Sequence, residues 1–264
     1  MLEIKNITKT FNAGTVNEKV ALNNLNLTLK KGDFVTVIGG NGAGKSTMLN
    51  AIAGAWKPDS GSIVVDGIDI TAMPEHKRAK FLGRVFQDPM MGTAADMQID
   101  ENLALAKRRG KSRSFKWWIK AEERGEYREM LKALDLGLEE RLTTKVGLLS
   151  GGQRQAITLL MASLNEPKLL LLDEHTAALD PKTAAKVLEI TDRIVEKNNL
   201  TTLMITHNMK DAIAHGNRLI MMHEGHVIVD VEGEEKKSLT VEDLMHLFVK
   251  QSGEEFANDR AVLS

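Results

Sequence analysis

The chain has 264 residues, 42% of them apolar, 27% charged and 4% aromatic, with a formal net charge of −1 and no cysteine. That apolar fraction excludes wholesale disorder, the missing thiol excludes disulfides, thiolate catalysis and zinc–thiolate sites, and the balanced charge gives no global pull toward nucleic acid or anionic lipid. No apolar run approaches the roughly 20 residues a membrane-spanning helix needs, and the length predicts one large domain or two small ones. The opening MLEIKNITKTF, with Glu3 and no apolar stretch, is not expected to be a signal peptide.

Leu2, Ile4 and Ile7 fall near-alternately, and Leu25, Leu27 and Leu29 alternate strictly with Asn26, Thr28 and Lys30, as half-buried strands do. Lys31-Gly32-Asp33 reads as a turn. Residues 34–38 are β-branched and apolar on both faces, which predicts a fully buried strand. A glycine-rich loop and a helix from 45 to about 53 follow. The turn at 57–61 precedes a strand at 62–65, and Val85-Phe86 ends another. From 88 to 164 β-branched runs vanish and charged helical patterns take over, the expectation for a helical subdomain. Beyond it, strands at 168–173, 201–206 and 218–222 alternate with helices at 181–197 and 208–214, which predicts a parallel sheet with crossover helices. Thr240 and Asp243 open a last amphipathic helix, and the polar tail 251–264 is expected to fray.

Gly39-Gly40-Asn41-Gly42-Ala43-Gly44-Lys45-Ser46-Thr47 fits a phosphate-binding loop between a buried strand and a helix. Glycines let backbone N–H groups converge on phosphate oxygens, and the helix N-terminus points its dipole at the same anion. Lys45 supplies a charge for the β- and γ-phosphates, and Ser46 a hydroxyl for Mg²⁺. Downstream, four leucines end in Asp173-Glu174. Asp173 stands where such a site needs a carboxylate for hydrated Mg²⁺, and Glu174 is placed to act on an attacking water as general base. A solvated acidic strand end is the plainer reading, and the phosphate loop outweighs it.

Leu149-Ser150-Gly151-Gly152-Gln153 resembles the signature of ATP-binding cassette ATPases, the motor subunits of ABC transporters. The resemblance runs from about residue 1 to 247 because further motifs recur in the family's order. Gln87 in Val85-Phe86-Gln87-Asp88-Pro89 matches the Q-loop, Ala177-Ala178-Leu179-Asp180 the D-loop, and His207 in Ile205-Thr206-His207-Asn208 the switch histidine. Phe11 stands where the family has an aromatic that stacks on adenine. The resemblance implies an α/β P-loop NTPase: a RecA-like parallel-sheet core, an antiparallel β subdomain and an α-helical signature subdomain. One cassette would span 1–250, with its core and β subdomain in 1–87 and 165–250 and its helical subdomain in 88–164.

The resemblance also implies ATP and Mg²⁺ as ligands and a head-to-tail dimer with a second copy of the chain. Each ATP would lie between one copy's phosphate loop and the other's Ser150–Gln153, where an N-capping Ser150 leaves the Gly151 and Gly152 N–H groups free. Asp180 would lie at that interface and His207 on the γ-phosphate. Gln87 would ligate Mg²⁺ and report to a separate transmembrane permease at the cytoplasmic face of the membrane. An extracytoplasmic substrate-binding protein is the further partner, and nucleic acid is not expected. The stretch from Phe86 to Ala94 is similar to cassettes of importers for aromatic or related amino acids; an exporter subunit and a non-transport ABC ATPase are the alternatives. Three positions depart from the family: Gly40 for proline or serine, Met161 for arginine, and His175 for the proline after Glu174. Histidine there is expected to be looser and ionisable. Residues 107–120 carry seven positive charges, no negative ones, and Trp117 and Trp118. They read either as a face toward the membrane or permease or as a solvated loop.

Overall fold

The computed structural model describes residues 1–111 and 119–252. In chain order, β1 (Leu2–Phe11), β2 (Lys19–Leu29) and β3 (Phe34–Ile38) lead into α1 (Lys45–Ala53), β4 (Ser60–Val65), β5 (Ile68–Asp69), α2 (Glu75–Arg78) and β6 (Leu82–Val85). Helices α3 (Ile99–Lys107), α4 (Ala121–Lys132) and α5 (Gly151–Ser163) follow, then β7 (Leu169–Asp173), α6 (Pro181–Asn198) and β8 (Thr201–Ile205). The chain continues through α7 (Met209–Ala214), β9 (Arg218–His223), β10 (His226–Glu232), α8 (Gly233–Ser238) and α9 (Val241–Ser252).

Two sheets organise these elements. One is antiparallel, in the order β2-β1-β4-β5; the other has six strands in the order β10-β9-β3-β8-β7-β6. Pairing from β9 through β3, β8 and β7 to β6 is parallel throughout, as the strand–helix alternation predicts, and β10 closes the edge antiparallel to β9. The uneven spacing of Leu2, Ile4 and Ile7 has a local cause. Asn6 takes a left-handed φ of 51° and the register slips between Ile4 and Ile7, so an extra residue keeps both side chains on the buried face.

The leucine run of β7 shows why both faces of that strand are apolar. Leu169 and Leu171 pack with Met48, Leu49 and Ile52 of α1 and with the antiparallel sheet. Leu170 and Leu172 point the other way, into a second core with Leu103, Leu131, Ile157 and Leu188 from α3, α4, α5 and α6. A third core joins β9 and β10 to α7 and α9. Burying one such leucine contributes roughly 1.5–3 kcal/mol. This double-sided packing holds the ends of β3, β7 and β8 in one plane, and the site lies beyond those ends.

Several elements differ from the sequence expectation. β10 and α8 were not anticipated, nor were β5 and α2. β9 and β10 are joined at Glu224-Gly225, both at positive φ (45° and 78°), the conformation of a tight hairpin turn. A glutamate in that first position is a weak hairpin signal, whereas Asp66-Gly67 between β4 and β5 (φ 52° and 80°) is a strong one. Helix α9 extends through Ser252, past the start of the expected tail; residues 253–264 lie outside the described residues. Among the described residues no helix is long and apolar enough to cross a membrane.

Candidate functional site

The chain leaves β3 through Gly39, where a Cβ would stand 2.2 Å from the Met222 carbonyl oxygen of β9, so only glycine passes. Gly44 caps α1 at φ 99°, and a Cβ there would meet the Ala21 carbonyl at 2.6 Å. With glycine as N-cap, no side chain takes the first N–H groups of α1, which leaves them to an anion. Lys45 is 5% exposed, and its Nζ donates to the carbonyls of Gly39 (2.6 Å) and Gly40 (3.1 Å). Burial pulls its pKa down, opposed by Glu174 and Asp173.

Asp173 ends β7 opposite Ile205 of β8. Burial pushes its carboxyl up, and the Arg84 guanidinium, 3.3 Å away, opposes this. Arg84 is itself held by Asn50 Oδ1 at 2.7 Å and lies over the Phe86 ring at 4.5 Å. Glu174 leaves the strand with a left-handed φ of 46°, its N–H donating to the Ile205 carbonyl at 3.0 Å. A non-glycine residue in that region costs roughly 1–3 kcal/mol, so the surroundings must hold it. Glu174 Oε1 lies 2.6 Å from His207 Nε2, and that hydrogen bond holds its carboxyl below the usual range against the pull of burial.

An open cleft of about 310 Å³ gathers Phe11, Asn41, Gly42, Ala43, Gly44, Lys45, Ser46, Thr47, Glu174 and His207. Lys19 and Ala21 line it too, and sequence reasoning missed both. Nothing marks an isolated lysine in a strand; the pairing of Lys19 with Phe11 across β1 and β2 brings it there. Phe11 packs edge to face on Trp56, with ring centroids 5.2 Å apart. Among oxygen donors, the Ser46 hydroxyl and the Asp173 carboxylate suit a hard cation such as Mg²⁺. Among the described residues no group of three or more His, Cys, Asp or Glu side chains stands together as a metal site.

The other expected residues lie off this cleft. Gln87 is exposed just beyond β6, where Gln155 of α5 donates to the Phe86 carbonyl at 3.1 Å. Ser150 caps α5: its Oγ accepts from the Gln153 N–H and the Gln153 Oε1 accepts from the Ser150 N–H, each at 3.3 Å. Asp180 caps α6 by accepting from the Thr183 N–H at 3.1 Å. These two caps touch. A Cβ on Gly152 would stand 2.1 Å from Thr183 Cγ2, and one on Gly151 3.2 Å from Leu179 Cδ2. Gly152→Ala is therefore expected to destabilise the fold by about 1–3 kcal/mol. Adding Thr183→Ser, which removes the opposing methyl and keeps the hydroxyl, should restore most of it in a thermal melt.

The structure corrects one expectation. His175 is neither loose nor ionised at neutral pH: it is 2% exposed, its Nε2 lies 3.1 Å from Thr191 Oγ1, and burial together with nearby His215 pushes its pKa down to about 4. Met161, in place of arginine, packs against the second core. In the basic stretch, Lys107 pairs with Glu126 and Arg108 with Glu123, both acids of α4, and Arg109 donates to the Ala162 carbonyl. Trp117, Trp118 and the rest of 112–118 lie outside the described residues.

A family profile described as ABC transporter matches residues 22–177. The chain is 47% identical over 248 residues to a tyrosine transport ATP-binding protein of Clostridioides difficile, covering 94% of this chain and 98% of that one. It is 34% identical to a methionine import ATP-binding protein of Corynebacterium efficiens, over 86% of this chain and 61% of that one. Among solved structures it matches the dimeric post-hydrolysis state of an ATP-binding cassette bound to ADP and phosphate. There the TM-score is 0.74 at 32% identity, covering 88% of this chain and 98% of that one. The ADP conformation of another ABC transporter cassette matches with a TM-score of 0.76 at 27% identity, over 94% and 98% of the two chains.

Proposed function

The chain belongs to the ABC transporter family, and from that premise we propose that it is the ATP-hydrolysing subunit of an importer for an aromatic amino acid. The observation that carries hydrolysis is the Glu174–His207 pair at the mouth of the glycine cradle. The backbone N–H groups of residues 41–47 and the Lys45 ammonium bind and orient the phosphates. Phe11 offers a ring for adenine. Mg²⁺ would be held by Ser46 and Asp173, with Gln87 as a third oxygen donor, and supplies charge neutralisation across the β- and γ-phosphates. Glu174, kept ionised by His207, accepts the proton of the attacking water. His207 Nε2–H, which donates to Glu174 in this structure, is in reach of the cleft to hold a γ-phosphate oxygen once ATP arrives.

Within one chain Ser150–Gln153 do not line the cleft. The function therefore calls for a second copy, head to tail, whose signature N–H groups close each ATP against the other copy's phosphate loop, with Asp180 at the seam. The solute crosses the membrane through a separate permease, reached through Gln87 and its neighbours, and an extracytoplasmic binding protein delivers it. The chain would then sit at the cytoplasmic face of the membrane as one cassette over 1–250. The match to a tyrosine transport protein supports tyrosine or a related solute.

His207→Ala tests this reading at two levels. Steady-state ATP hydrolysis should fall by roughly 10²–10⁴-fold while ATP affinity changes little. In cells lacking the chain, wild type should restore uptake of labelled tyrosine and the variant should not. Equal losses of affinity and turnover would contradict the assigned role. Wild type that leaves tyrosine uptake unrestored would contradict the solute.

A further inference from the structure

Glu174 is held in a left-handed conformation directly before a buried histidine. That histidine's hydrogen-bond partner on α6 is Thr191. Thr191 Oγ1 also lies 2.8 Å from the Val187 carbonyl, and with its hydrogen placed there it accepts from His175. That arrangement makes the ring the Nε2–H tautomer, donating to Thr191 across 3.1 Å. Thr191 lies fully buried in α6, the helix that begins at the Asp180 cap. The Glu174 backbone is thus tied on two sides. Its own N–H reaches β8 at Ile205, and the next side chain reaches α6.

We propose that His175 is a positioning residue: by donating to Thr191 it clamps the turn after β7 to α6 and holds the Glu174 carboxylate on the line of attack. The clamp does for this chain what a rigid φ would otherwise do, by a side-chain tether instead of a ring closed on the backbone. It does not titrate in the working range, because the ring is buried and neutral. The proposal rests on the reading of Glu174 as the base.

The test compares His175→Leu, His175→Gln, Thr191→Val and the His175→Leu/Thr191→Val double variant in the full chain. Leucine fills the space without a donor, and the glutamine amide can place an N–H where the ring Nε2–H stands. His175→Leu and Thr191→Val should each lower kcat by about 10- to 100-fold, with KM and equilibrium ATP affinity within about twofold, since a small misplacement at the reacting group acts on turnover. The double variant should lose no more than either single one, and His175→Gln should recover most of the rate. A kcat near wild type in Thr191→Val, additive losses in the double variant, or losses carried by KM would overturn the clamp. Glu174→Gln measured alongside separates the two readings: retained hydrolysis there overturns the base, whatever the His175 series shows.

Discussion

Glu174→Gln should bind ATP as wild type does and hydrolyse it at least 10²- to 10⁴-fold more slowly, the range expected when a general base is lost. The amide keeps the shape of the carboxylate and an oxygen for His207 Nε2–H, now 2.6 Å from Oε1, but it cannot take a proton from water. Because hydrolysis is the step that would release the two copies, the same variant should accumulate as an ATP-bound dimer. Gel filtration with ATP and Mg²⁺ should show the dimer for Glu174→Gln and chiefly monomer for wild type after turnover. Monomer alone for the variant under those conditions would remove the head-to-tail mechanism.

Lys45→Ala should sharply weaken ATP binding without unfolding the chain. A charge-assisted hydrogen bond contributes about 1.5–3 kcal/mol, and its loss lowers affinity by roughly ten- to a hundredfold or more. The expectation for stability has the opposite sense. Burial depresses the Lys45 pKa, so the fold disfavours that ammonium, and its nearest partners are two carbonyls of its own loop. The melting temperature of the nucleotide-free variant should not fall. Wild type at about a hundred times its Kd for ATP should gain about 2.7 kcal/mol of stability by mass action, and a variant that binds ten- to a hundredfold more weakly only about 0.4–1.4 kcal/mol. ATP-dependent stabilisation undiminished from that of wild type would show that the loop reading is wrong.

Two of the three departures from the family pattern illustrate how far residue types reach. Histidine at 175 suggests a charge that comes and goes; the pocket around it makes a neutral donor instead, because a fully buried imidazole loses the hydration that supports its cation. Methionine at 161 suggests a lost contact, and the second core absorbs it as a packing residue. Lys19 shows the converse case, a cleft residue with no motif around it, brought in by pairing across the antiparallel sheet.

By itself the sequence determined the glycine-rich loop between a buried strand and a helix, the acid pair at a strand end, the parallel-sheet alternation and the order of motifs that identifies the family. Each of these is local: glycine spacing, an apolar run ending in acids, a helix cap. A local signal survives in one dimension because the chemistry needs neighbouring residues. Only the tertiary structure decided that Glu174 and His207, on adjacent strands' ends, share a hydrogen bond, that Lys19 lines the cleft, that Gly152 faces Thr183, and that His175 reaches Thr191. These contacts join residues far apart in the chain. They depend on strand register and helix packing, which no spacing along the sequence encodes.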